Sequence, residues 1–240
     1  FERRDAGQHR AGMSFETLFS DLALTFPSAE IEKMLRESLQ DNDQLMVHVF
    51  GYNSAAAVLS TMQATGGNRV WARRRVRFEH GDGLFPDLIP LAKEMGAVVV
   101  QNPSHLNVAA IFPGLFLEHA QPLRSLLAAG IPLALGSDGP TNPYLNIMFA
   151  STHPNRPSEA ITREQAVTAY TLGSAYAEFA EREKGSLEAG KLADLAVLSQ
   201  DIFTVSAPDL PKTTSVLTLV GGKVVYDGKV LQTARPSKGE

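Results

Sequence analysis

The chain contains no cysteine in 240 residues. This excludes disulfides and thiolate metal ligands and fits a reducing compartment, so a cytoplasmic location is expected. No apolar run approaches the roughly 20 residues that a membrane-spanning helix needs, and no signal-peptide pattern is present. A membrane partner is therefore not expected. Positive charge is not in excess: 22 Lys and Arg against 26 Asp and Glu give a formal net charge of -4. The chain thus lacks the basic footprint of a nucleic-acid-binding protein. Its one basic cluster, Arg73-Arg74-Arg75 with Arg77, directly adjoins an apolar strand and reads as that strand's solvated start.

What is present suffices for a sizeable core with a small appended unit, since 44% of the residues are hydrophobic and 20% charged. Apolar residues at helical spacing (Ile31, Met34, Leu35, Leu39) predict a helix over 28–42, with Ser28 as N-cap. Strands are predicted over 45–49, 76–79, 97–100 and 131–135. The last two follow helices that begin near Pro86 and Pro122 and end at Gly96 and Gly130. Strand and helix in regular alternation imply a parallel sheet with right-handed crossovers. Further helices are predicted over 144–151, 163–170 and 174–183, the second opened by a Thr162–Gln165 capping box. Beyond Lys184 the pattern changes to turn-rich sequence and three apolar strands (195–198, 216–220 and 223–226), the last two joined by a Gly221-Gly222 hairpin. The opening residues, from Phe1 with Glu2, Arg3, Arg4 and Asp5, lack periodicity and read as a loop cut into.

Three stretches carry the chemistry. His48, His80 and Asp138 each stand where an apolar, strand-like run ends. A single histidine in such a place is by default a core residue satisfied by a backbone carbonyl, and Ser137-Asp138-Gly139-Pro140 is also good turn chemistry. Repetition at three strand ends favours a shared site, because parallel strands deliver those ends to one side of the sheet. His105, after the third predicted strand, lies at the same end and is a candidate substrate contact. His9, His119 and His153 read as loop or helix-edge residues.

With these motifs on view, the chain resembles the C-terminal part of a metal-dependent amidohydrolase, closest to the branch with N-acyl amino acid and N-substituted formamide hydrolases. The resemblance rests on Val-His-Val-Phe-Gly, Phe-Glu-His-Gly and Gly-Ser-Asp-Gly-Pro. It rests also on Gly-Ser-Leu-Glu-Ala-Gly-Lys-Leu-Ala-Asp-Leu-Ala-Val-Leu with the later Val-Gly-Gly-Lys-Val-Val-Tyr, and it covers the chain from about residue 28. It implies an α/β fold: the C-terminal part of a (β/α)8 TIM-type barrel, about four βα units, plus a small antiparallel β element. Residues 1–27 would be a truncated loop, 28–184 the partial barrel, 185–235 a small C-terminal β-sandwich element and 236–240 a frayed tail.

The resemblance also implies that His48 and His80 are metal ligands after strands five and six. Asp138 would be the catalytic acid/base and a further ligand after strand eight. The implied cofactor is a divalent metal, zinc first, with iron or manganese as alternatives. The implied substrate is a small amide or cyclic amide, and the implied reaction is hydrolysis of a non-peptide carbon–nitrogen bond. The sequence departs from the family pattern in having no His-x-His pair, in Tyr52 where relatives often have Asp, and in Gly81 where Ala is frequent. Metal binding by this chain is accordingly expected to be weak or absent, and self-association through the open barrel half is expected. The alternative is a non-catalytic half-barrel or partner-dependent module. A flavodoxin-like phosphate site ranks last, since the loop after His48 has one glycine and no phosphate-cradling Lys.

Overall fold

The computed structural model describes residues 9–14, 28–41, 44–108 and 119–229. Its main sheet has five parallel strands in chain order: β1 (His9–Ser14), β2 (Gln44–Val49), β3 (Arg77–His80), β4 (Val98–Gln101) and β5 (Leu133–Leu135). Four of these were legible as apolar runs. The first was not: within the loop expected over 1–27, residues 9–14 form a strand, while the remainder lies outside the described residues. His-Arg-Ala-Gly-Met-Ser has no β-branched residue and no alternation, yet its backbone pairs with β2 over six residues.

Between the strands lie α1 (Ser28–Asp41), α2 (Tyr52–Ala64), α3 (Gly67–Trp71), α4 (Ile89–Glu94), α5 (His105–Val108) and α6 (Leu123–Ala128). After β5 come α7 (Pro143–Thr152), α8 (Arg163–Thr168) and α9 (Ser174–Ala177). The helices pack on the outer face of the sheet. One core joins Ile31 and Leu35 of α1 and Leu59 and Met62 of α2 to Leu45, Val47, Val49 and Phe78 of the strands. Trp71 and Met95 complete it, fully buried. A smaller inner-face cluster consists of Val98, Val100, Ala134 and Ala177.

Helices α8 and α9 are one continuous path, where two separate helices were predicted. The turn between them, Ala169–Gly173, is a π-helix. Gly173 explains the close fit: a Cβ there would lie 2.2 Å from the Leu133 carbonyl oxygen, so the helix backbone rests directly on β5. The helix ends at Ala177 and not near Glu183. There the backbone carbonyls of Tyr176 and Ala177 accept hydrogen bonds from Arg75 Nη1 and Gln44 Nε2, both at 2.7 Å.

The second sheet is antiparallel: β6 (Leu195–Leu198), β7 (Ser215–Val220) and β8 (Lys223–Asp227). Gly221 (φ 56°) and Gly222 (φ 76°) make the hairpin turn, as two adjacent positive φ values require. Among the described residues this unit is a single three-stranded layer; the sandwich expected over 185–235 is not formed by it. Asn142 Nδ2 ties the region to the barrel portion by donating to the Pro211 carbonyl at 2.8 Å.

Candidate metal centre

Parallel strands with this connectivity bring the ends of β2, β3 and β5 to one edge, and a cavity of about 360 Å³ opens there. His48, Arg77, Glu79, His80, Asn102 and Asp138 contribute to its lining. Strand alternation explains His48 and Glu79, which are direct neighbours across the β2–β3 ladder and lie on the inner face with Arg77. His80 breaks the alternation. By parity it belongs with Phe78 in the outer core, but its φ of 69° ends the strand in a left-handed turn and carries its imidazole inward. Gly81 continues that turn at φ 62°, and a Cβ there would lie 2.5 Å from Val99 Cγ1. The glycine that departs from the family pattern is thus required by the backbone here.

His48 and Asp138 each approach His80. His48 Nδ1 and His80 Nε2 are 2.9 Å apart, and His80 Nε2 stands 3.7 Å from Asp138 Oδ2. Ligand atoms at about 2.0–2.2 Å from a tetrahedral ion stand roughly 3.3–3.6 Å from one another. The observed separations fall on either side of that range, and among the described residues the three-donor group whose ligand atoms all lie within 4.8 Å of one another is His80, Asp82 and His105. Two imidazoles and one carboxylate form the borderline N/O set that zinc, iron and manganese share. Asp138 also has a positive φ, 37°, so two of the three side chains issue from left-handed backbone, a cost that folds retain mainly at functional sites. Behind them, Asn102 Nδ2 stands 3.3 Å from His80 Nδ1. Tyr170 Oη donates to the Gly136 carbonyl at 2.8 Å, fixing the loop that bears Asp138; burial holds that phenol well above its usual pKa.

His105 joins the cluster from the start of α5. Its ring stacks on His80, with centroids 5.2 Å apart and planes inclined by 19°, and its Nε2 is 3.4 Å from Asp138 Oδ2. Asp82, two residues beyond His80 and wholly buried, was not singled out by the sequence. It faces His105 Nδ1 at 3.7 Å, and the only hint of it was its place in the left-handed turn after a strand-end histidine. Burial lowers the His80 pKa, with the neighbouring imidazoles adding to the effect and Asp82 and Asp138 opposing it. Burial thus favours the neutral ring, the form in which an imidazole nitrogen can bind a metal. For His105, burial acts downward too, but the Asp82 and Asp138 carboxylates outweigh it and hold the pKa above the ordinary imidazole value.

His153 and His119 are placed otherwise. His153 caps α7 and is buried with both ring nitrogens engaged. His119 packs against Phe85, with centroids 4.3 Å apart. Tyr52, at the start of α2, donates to Asp87 Oδ2 at 2.7 Å and so is held away from the ligand set by its own partner.

A parallel α/β sheet with a His/carboxylate donor set at its strand ends, followed by a small antiparallel sheet, defines a metal-site hydrolase fold built on part of a TIM-type barrel. The chain belongs to the amidohydrolase family, a family of metal-dependent enzymes, whose model matches residues 4–226. Among curated proteins it is 32% identical over 149 residues to an N-substituted formamide deformylase of Arthrobacter pascens, covering 56% of this chain and 28% of that one. It is 32% identical over 200 residues to Protein LONG AFTER FAR-RED 3 of Arabidopsis thaliana, covering 76% of this chain and 34% of that protein. It is also 28% identical to the putative amidohydrolase YtcJ of Bacillus subtilis, over 81% of this chain and 40% of the relative. The chain therefore spans about a third of the length of these relatives. Among solved structures, an uncharacterized metal-dependent hydrolase of Pyrococcus horikoshii shares the fold at a TM-score of 0.68 and 16% identity, over 85% of this chain and 43% of that one.

Proposed function

We propose that this chain carries part of the active site of a hydrolase of non-peptide carbon–nitrogen bonds in small amides or cyclic amides. His48, His80 and Asp138 hold a divalent cation, zinc first. The approach of His48 Nδ1 and Asp138 Oδ2 to His80 Nε2, at 2.9 and 3.7 Å, is the observation that carries the reading. Relatives named for deformylation, for 5-methylthioadenosine/S-adenosylhomocysteine deamination and as imidazolonepropionase all act on carbon–nitrogen bonds, which supports the class.

A cation bound there supplies Lewis-acid polarisation of the carbonyl and an acidified water. The residues do the rest. Asp138, exposed at the cavity mouth, accepts the proton of the attacking water and returns it to the leaving nitrogen. His105 Nε2, beside that carboxylate, contacts the substrate and keeps Asp138 oriented. His80, whose neutral form its burial favours, stays available as a ligand. In this picture residues 28–184 form the barrel portion and 185–235 an appended unit. The isolated chain has weak affinity for metal at this donor set, since the family's His-x-His pair is missing from its sequence. With β1 and β5 as open edges of the described sheet, it self-associates in a compartment such as the cytoplasm.

The test is metal content and amide hydrolysis in the full-length gene product. His80→Ala is expected to cost more in turnover than the ~100-fold that loss of a supporting hydrogen bond costs, with loss of bound metal. Unchanged turnover and metal content in that variant would refute the assignment.

A further inference from the structure

Asp82 and His105 are not explained by the donor set above. Both reach into the same buried space. Asp82 is fully buried, yet among the described residues its Oδ2 makes no hydrogen bond; neither does His105 Nδ1. The two atoms face each other at 3.7 Å, too far for a hydrogen bond and close to the separation of two ligand atoms on one small cation. Leaving a buried carboxylate oxygen and a buried imidazole nitrogen unpaired is costly, so such pairs mark a missing partner.

The outer atom of Asp82 is supported. Asp82 Oδ1 accepts from Gln121 Nε2 at 2.5 Å, while His105 Nε2 lies near the Asp138 carboxylate at 3.4 Å without a hydrogen bond to it. Asp82 thus has the pattern of a metal ligand: an inner atom aimed at the ion and an outer atom held by an amide that fixes the carboxylate's orientation. Gln121 is itself anchored, because His153 Nε2 donates to its carbonyl at 2.9 Å. His80 supplies a third donor, since one ligand atom from each of His80, Asp82 and His105 lies within 4.8 Å of the others.

We propose that Asp82 and His105, completed by His80, form a second seat for a divalent transition cation of the zinc type, beside the His48–His80–Asp138 set and distinct from it. His80 serves one seat at a time. Because the ligand atoms of this second set all lie within 4.8 Å of one another, the ion that the isolated chain holds sits at Asp82 and His105.

Cobalt(II) titration of the 240-residue chain, followed by its visible d–d absorption and by calorimetry with zinc(II), tests this. One equivalent is expected, weakened by at least about 100-fold in Asp82→Asn and in His105→Gln and retained in His48→Gln. Circular dichroism shows whether each variant is folded, and the two variants on separate loops guard against misfolding of either one. An ion lost in His48→Gln but kept in Asp82→Asn and His105→Gln would overturn the second seat while leaving the first assignment standing. Failure of the chain to bind either cation would overturn it as well. Metal content and turnover unchanged in full-length His48→Gln, with metal lost in Asp82→Asn, would separate the two proposals in the other direction.

Discussion

His153 and His105 are both withdrawn from solvent, about 50 residues apart in sequence, and they are used in opposite ways. His153 Nε2 donates to the Gln121 carbonyl at 2.9 Å and its Nδ1 accepts from the Arg156 backbone at 3.0 Å. Its neutral ring is satisfied on both sides, and burial holds its pKa below the ordinary value. His105 has a carboxylate near each nitrogen but a hydrogen bond at neither within ordinary distance, and its pKa is raised. Hydrogen-bond accounting, more than burial or residue type, separates the histidine that holds the fold from the one we propose as a ligand.

That contrast can be broken by measurement. The largest effect is expected for His153→Ala, which opens a buried cavity and strands the Gln121 carbonyl and the Arg156 N–H. Chemical denaturation should show a loss of about 2–4 kcal/mol. Gly81→Ala comes next, at about 1–3 kcal/mol, from positive φ together with the contact on Val99; an unchanged midpoint would mean that the left-handed turn at the site is not under strain. Asp82→Asn should move the other way. With chelator present it relieves an uncompensated buried carboxylate while keeping an acceptor for Gln121, so stability should hold or rise by about 1 kcal/mol. A loss as large as that of His153→Ala would place Asp82 with the structural residues.

The smallest effect concerns pH. His153 has a folded pKa below its unfolded value of about 6.5, so the native state binds fewer protons. Its stabilising contribution is complete above that unfolded value and is lost as pH falls toward the depressed folded one. The stability slope between pH 7 and 5 should flatten in His153→Asn. An identical slope would show that other groups govern acid unfolding.

Much of this arrangement was legible in the sequence, for reasons that differ by residue. β4 and β5 announced themselves as apolar runs because both of their faces are buried, while β2 and β3 showed as shorter apolar stretches with one face only partly covered. His48 and Asp138 stood out because each interrupts such a run at its end. β1 was illegible: its identity comes from pairing with β2, and Gly12 and the polar residues of His-Arg-Ala-Gly-Met-Ser give no pattern. Asp82 was hidden for a different reason. In Phe-Glu-His-Gly-Asp-Gly it reads as turn chemistry, and only the left-handed path through His80 and Gly81 shows that it leads back into the interior. The π-turn before Ser174 was equally invisible, since it reflects the contact of Gly173 with β5 and no local preference.

The opposite end of the sheet carries Arg75. Its guanidinium makes a two-point contact with Glu181 at 2.7 and 3.0 Å and lies over the rings of Tyr176 and Phe179, 3.7 and 4.2 Å from their centroids. This latch binds the start of β3 to the chain segment that follows α9, far along the sequence from the strand-end loops. A division of labour follows for descent with change: substitutions in the loops after β3, β4 and β5 can retune what the cavity accepts, while the latch keeps the strands in register. Innovation at one end of the sheet is insulated from instability at the other.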